Sequence, residues 1–119
     1  AGIDDTGFYE TGDVARAARG IPAGACALLL AHCPDVYDEA RAHGFAWMLS
    51  GHTHGGQVCL PGGHMLITHS SAPRRFCRGP WSHEAMPGYT SRGTGGSGAP
   101  IRFNCPPEIT LHTLHRHAE

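Results

Sequence analysis

The chain has no lysine: all nine basic residues among its 119 are arginine. Against ten acidic residues they leave a formal net charge of −1, so no global field favours nucleic acid or an anionic membrane. Long hydrophobic runs are missing too. The longest, residues 25–31, is far too short to span a bilayer. There is no C-x-x-C pair, and Cys26, Cys33, Cys59, Cys77 and Cys105 are odd in number, which argues against a disulfide framework and a cysteine-rich zinc module. Reduced, mostly buried thiols in a cytosolic setting are the expectation. No initiator Met, basic n-region or signal-like segment opens the sequence, so it reads as a processed product or a fragment.

What is present is one domain's worth of chain, residues 1–119, with 40% hydrophobic content and ten histidines. Residues 1–5 look like the end of a strand. Asp13 is placed to cap a short helix through about Arg19, ended by Gly20 and Pro22. Residues 26–32 (CALLLAH) form a near-continuous apolar run, the pattern of a strand buried on both faces. Pro34 and Asp35 start a second helix over 36–43, closed by Gly44, and 45–50 reads as the next strand. Strand, helix, strand in this order is a βα crossover pattern. Beyond Gln57 the chain turns β-rich, with short strands expected at 58–60, 64–68, 89–91, 101–103 and 108–114. Residues 71–88, with three prolines and the basic cluster Arg74, Arg75 and Arg78, read as loop.

The most informative stretch is Gly51-His52-Thr53-His54-Gly55-Gly56-Gln57, at the exit of the second buried strand. Neutral imidazole is the commonest metal ligand. Along a strand, positions i and i+2 project to one side, so His52 and His54 can converge on one site. His32 ends the preceding strand, and in parallel βα arrangements functional groups gather outside the carboxyl ends of adjacent strands. Hydrogen-bonded strand-end histidines are the plainer alternative. Residues 93–98 formally match G-x-G-x-x-G, but Ala99-Pro100 and a β-like run follow instead of the helix a pyrophosphate needs. A turn-rich loop approaching the site, with Arg92 at its start, fits better. Arg92 is a candidate for contacting a substrate phosphate, with a fold-supporting role as the equal alternative. Cys105-Pro106-Pro107 reads as a rigid turn. The tail residues His112, His115 and His117 are expected to be solvated, and His43, His64, His69 and His83 carry no motif support.

Ala31-His32-Cys33-Pro34-Asp35 together with Leu49-Ser50-Gly51-His52-Thr53-His54-Gly55-Gly56-Gln57 resembles the C-terminal half of a calcineurin-like metallophosphoesterase. Residues 89–93, 102–109 and the opening Gly2-Ile3-Asp4-Asp5 are similar to the bacterial branch of YkuE- and YaeI-type phosphodiesterases. The resemblance implies an α/β fold, half of a four-layer α/β/β/α sandwich, around two divalent ions (Mn, Fe or Zn). It implies that His32 and His52 bind one metal and His54 the other. Such a pair of cations, about 3.5–4 Å apart, serves in-line attack on phosphorus. The family's N-terminal motifs (Asp-x-His, Gly-Asp-x-x-Asp and Gly-Asn-His-Asp/Glu) are absent, so the bridging Asp and the Asn ligand have no counterpart.

The reading that follows is a metal-dependent phosphoric ester hydrolase represented by its C-terminal half, inactive by itself, with no catalytic residue identified beyond the metal ligands. Its implied partners are a small phosphoester or lipid-headgroup substrate and the missing N-terminal half of the domain. A cytoplasmic or membrane-anchored location is implied, anchoring being possible through an absent N-terminus. Two other readings compete: a degenerate, non-catalytic metal-binding or interaction domain, and a mononuclear three-His zinc hydrolase with one open position.

Overall fold

A computed structural model describes residues 1–6 and 12–115. Helix α1, Val14–Ala18, starts where expected: the Asp13 side chain accepts the Arg16 N–H at 2.7 Å. Strand β1 (Leu28–Leu30) leads through a 3₁₀ turn, Pro34–Val36, into helix α2 (Tyr37–Ala42) and strand β2 (Trp47–Ser50). Two short strands follow, β3 (Cys59–Leu60) and β4 (His64–Met65), then the hairpin of β5 (Gly79–His83) and β6 (Met86–Thr90). The main sheet has the order β1-β2-β6-β5. Its first three strands are parallel and β5 runs antiparallel on the edge, while a bridge from Gly2 to Leu30 extends the other side. The strand-helix-strand crossover is therefore present. Among the described residues no helix is long and apolar enough to cross a membrane.

Strand β5 corrects the loop reading of residues 71–88. Pro80 sits inside it, which suggests a breaker, but an edge strand tolerates proline because one side of its ladder is unpaired. The hairpin turn holds Glu84 at φ +51°, without the Asn or Gly that would announce it. The expected strands at 101–103 and 108–114 are also corrected. Only Phe103 bridges, to Val58, and apart from the Glu108 N–H bond to the Gly93 carbonyl the tail is held by side chains. Tyr89 bonds Glu108 and Thr110 through its hydroxyl, and the His112 ring stands edge-on to both Trp47 and Tyr89 at 4.9 Å. His112 is thus packed rather than solvated; His115 is exposed, and His117 lies outside the described residues.

The core occupies one face of the sheet, where Leu29 and Met48 meet Val36, Ala40, Phe45, Phe76, Trp81 and Met86. Gly88 is required there, because a Cβ would lie 2.2 Å from the Trp81 ring. Thr90, fully buried, ties the layer together: it accepts the Trp81 Nε1–H at 2.9 Å, donates to the Phe76 carbonyl at 2.6 Å and meets Ser50 Oγ at 2.9 Å. The expectation that β1 is buried on both faces does not hold. Leu29 is fully buried, yet Leu30 is 55% exposed. By strand alternation Leu28 and Leu30 share the second face with Trp47, Leu49 and Tyr89, which the C-terminal tail covers only in part.

Candidate functional site

Strands β1 and β2 run parallel and release the chain at the same edge of the sheet. Their ladder continues just past them, with Ala31 N–H on the Leu49 carbonyl and Gly51 N–H on the His32 carbonyl, both at 3.0 Å. This brings His32 and His52 side by side. His32 Nε2 and His52 Nδ1 lie 2.8 Å apart, and the rings meet edge to face at 4.7 Å. The second nitrogen of His52, Nε2, is 2.9 Å from the His69 carbonyl. A carbonyl only accepts, so Nε2 carries the proton and Nδ1 is left as an acceptor facing His32.

His54 reaches the site by a different route from the one strand alternation implies. Strand β2 ends at Ser50, and His52, His54, Gly55, Gly56 and Gln57 all adopt positive φ, so the motif is a coiled loop rather than a strand. Thr53, buried at its centre, donates to the Cys77 carbonyl at 2.7 Å and accepts the Gly55 N–H at 3.2 Å. The paired glycines are close-approach positions. A Cβ on Gly55 would sit 2.4 Å from Arg92 Cγ, and one on Gly56 would sit 2.8 Å from Met65 Cγ. His54 Nδ1 lies 3.0 Å from Gln57 Oε1. That contact marks Nδ1 as the donor and leaves Nε2 as the free lone pair. Gln57 also bonds Ser97 N and O and the Ala99 carbonyl, at 2.8–3.0 Å, and so straps the Gly-rich segment against the site as expected.

All three predicted histidines line one cavity of about 760 Å³, with Thr53, Gln57 and Ser97 and an apolar flank of Val58, Leu66 and Ile67. His32 also borders a neighbouring cavity of about 630 Å³ with Asp4 and Asp13 on its wall. A metal–imidazole bond is about 2.0–2.1 Å, so two nitrogens 2.8 Å apart can reach a single cation. The 2.8 Å contact is a hydrogen bond in which His32 Nε2 donates to His52 Nδ1, so the pair would fit a cation once the His32 proton stands on its Nδ1 instead. Among the described residues, no group of three or more His, Cys, Asp or Glu side chains gathers at one point. The mononuclear three-His centre is accordingly not assembled, because His54 engages Gln57 while His32 and His52 engage each other.

Arg92 is committed elsewhere. Its Nε donates to Glu108 Oε2 at 2.6 Å, Nη2 contacts the same oxygen, and its backbone N–H reaches Oε1 at 3.0 Å. Arg102, which no sequence pattern marks, braces the loops around the site. Its guanidinium bonds the carbonyls of Arg92, Gly95 and His54 at 2.6, 2.8 and 3.2 Å. Nothing in periodicity marks it, since its partners are carbonyls brought together only by the loops. The basic cluster is similarly spent. Arg74 bonds the carbonyls of Met65 and Leu66, Arg78 that of Gly63, and Arg75 lies over the Phe76 ring.

Among the curated proteins similar to this chain, three match over 73% of its length. It is 33% identical over 88 residues to the uncharacterized metallophosphoesterase YkoQ of Bacillus subtilis (strain 168), covering 73% of this chain and 33% of that protein. It is 37% identical over 87 residues to the uncharacterized metallophosphoesterase YkuE of the same organism, 73% and 30% covered. With the phosphodiesterase YaeI of Escherichia coli (strain K12) the identity is 39% over 90 residues, 73% and 32% covered. The chain spans about a third of the length of these relatives and matches their C-terminal part. No protein-family model matches the chain, and no solved structure matches it.

Proposed function

Since this chain belongs with the metallophosphoesterases over 73% of its length, we propose that it carries the C-terminal part of a dinuclear phosphoric ester hydrolase site. The observation that supports this most is the convergence of His32 Nε2 and His52 Nδ1 to 2.8 Å at the carboxyl ends of adjacent parallel strands. In this reading His32 and His52 hold one divalent ion and His54, through Nε2, belongs to the other. Metal ions held there would supply positive charge to the oxygens of a displacement at phosphorus.

The chain's own residues supply placement. The loop 52–57, with five positive-φ residues, presents two imidazoles from one short segment, pinned by Thr53 within it and by Gln57 at its end. Gln57 keeps the His54 ring oriented and carries segment 97–99 to the rim of the cavity. Val58, Leu66 and Ile67 give that cavity an apolar side, which suits a small phosphoester or a lipid headgroup bearing an apolar substituent. Arg92, bound to Glu108, supports the loop under Gly55 in this reading rather than contacting a phosphate.

Completing a two-metal centre takes carboxylate ligands beyond the three imidazoles, from chain that the relatives have and this sequence does not match. Hydrolysis of bis-p-nitrophenyl phosphate with Mn²⁺ tests the proposal, using this chain and a longer polypeptide that includes it. Metal-dependent turnover confined to the longer polypeptide, abolished by His52→Ala, is expected. Turnover that is untouched by His52→Ala would remove the pair from the site. Metal binding without turnover in either form would favour the non-catalytic domain.

A further inference from the structure

We propose that Asp35 is a positioning residue for the imidazole pair, its carboxylate joining the turn after His32 to the segment whose His69 carbonyl holds His52. The inference rests on reading His32 and His52 as ligands. Asp35 Oδ1 accepts the Ser70 hydroxyl at 2.6 Å and the Ala72 N–H at 2.8 Å, while Oδ2 accepts the Cys33 thiol at 2.7 Å. One carboxylate thus binds two pieces of chain that are 35 residues apart. On one side it fixes Cys33, which directly follows His32. On the other it fixes Ser70, which directly follows His69.

Segment 66–73 contains no helix or strand that would otherwise hold the His69 carbonyl in place. His69 itself adopts φ +50°, a region that non-glycine residues enter at a cost and keep only when neighbours hold them. The clamp at the next residue is the restraint nearest to it, while Arg74 holds the start of the segment through the Leu66 carbonyl. Ser70 Oγ additionally accepts the Ala72 N–H at 3.2 Å and lies 3.8 Å from Cys77 Sγ, closing the knot. Burial opposes the Asp35 charge, but the bonds from Cys33, Ser70 and Ala72 outweigh it and hold the carboxyl below its usual range. It is an acceptor at neutral pH, as the clamp needs.

The consequence falls on His52. With its Nε2–H held by the His69 carbonyl, the ring is fixed in one tautomer and Nδ1 stays aimed at His32 Nε2. Partners of this kind behind metal-binding imidazoles orient the ligand, and losing one costs about 10- to 100-fold in metal affinity. Releasing segment 70–72 frees the carbonyl, and both the tautomer and the ring orientation then average. None of Asp35, Ser70 or Cys33 supplies a nitrogen to the pair.

The test uses ¹⁵N-histidine-labelled chain, read twice: by NMR of the His52 ring nitrogens without metal, and by calorimetry with Mn²⁺. Wild type should show a locked Nε2–H tautomer. Asp35→Ala should show averaged shifts and an affinity lower by about 10- to 100-fold. Asp35→Asn keeps an acceptor oxygen for Ser70 and Ala72 and should stay within about threefold of wild type. If Asp35→Ala does not fold, Ser70→Ala takes its place and must show the averaged signal. A locked tautomer in the clamp-broken variant, or equal losses in Asp35→Asn and Asp35→Ala, overturns the proposal. If wild type binds no Mn²⁺ while the tautomer still follows the clamp, the metal reading fails and the clamp stands.

Discussion

Arg92 gives Glu108 its Nε–H at 2.6 Å and its backbone N–H at 3.0 Å, so one carboxylate ties the start of the Gly-rich segment to the tail. Burial would raise this carboxyl, but the hydrogen bonds from Arg92 and Tyr89 and the Arg92 charge outweigh it and hold it below its ordinary 4.5. The sign follows from linkage: the stabilisation is complete above about pH 4.5 and is lost as pH falls through the lower folded-state value. Glu108→Gln should cost about 1–3 kcal/mol at neutral pH and flatten the acid limb of a melting-temperature profile. An unchanged profile would mean that the pair carries no stability.

Gly88 and Trp81 give a packing test on the core face. A Cβ at Gly88 would stand 2.2 Å from the indole, and neither strand can shift freely within the hairpin. Gly88→Ala should destabilise by about 1–3 kcal/mol through overpacking, read by denaturant unfolding of Trp fluorescence. A loss below about 0.5 kcal/mol, the ordinary range of a surface change, would sink this account of the sheet.

Cys33 should be inert among the five cysteines. Burial first, then its hydrogen bond to Asp35, pushes its thiol up to about 12. The thiolate is the reactive form, so at pH 8.5 Cys33 stays protonated while the exposed Cys26 is alkylated. Mass-spectrometric mapping of iodoacetamide adducts reads the order. Early labelling of Cys33 in folded chain would contradict the Asp35 contact, and faster labelling in Asp35→Ala should accompany release of the clamp.

The second face of the sheet, with Leu30 more than half exposed beside Leu28 and Leu49, should make the chain self-associate. Sedimentation velocity is expected to show concentration-dependent association of wild type, reduced in Leu30→Glu. A monodisperse wild-type monomer at tens of micromolar (roughly 0.1–1 mg/mL) would remove that expectation.

The crossover half of the fold was legible because its signals are local. Asp13 caps, Gly44 stops a helix, and the runs read at 26–32 and 45–50 contain the strands that form at Leu28–Leu30 and Trp47–Ser50. The second half was harder because its order comes from distant side chains. Pro80 hides an edge strand, and the tail follows Tyr89, Arg92 and Trp47 rather than a ladder. At the site, His32, His52 and His54 were readable as residues but their geometry was not. Strand alternation sends His52 and His54 the same way, whereas five positive-φ positions pair His52 with His32 and His54 with Gln57. Arg102, His69 and Asp35 act through backbone carbonyls or on backbone N–H groups, and no residue pattern announces such contacts.

The most direct measurement of the central claim is calorimetric titration of Mn²⁺ or Zn²⁺ into wild type, His32→Ala and His52→Ala at fixed neutral pH. If the 2.8 Å pair is a ligand pair, both single variants lose affinity to the same large extent, and the double variant loses little more. His43→Ala, a substitution outside the cavity lining, should bind as wild type does. Wild-type affinity in His52→Ala, or losses from His32 and His52 that simply add, would contradict a shared cation between them.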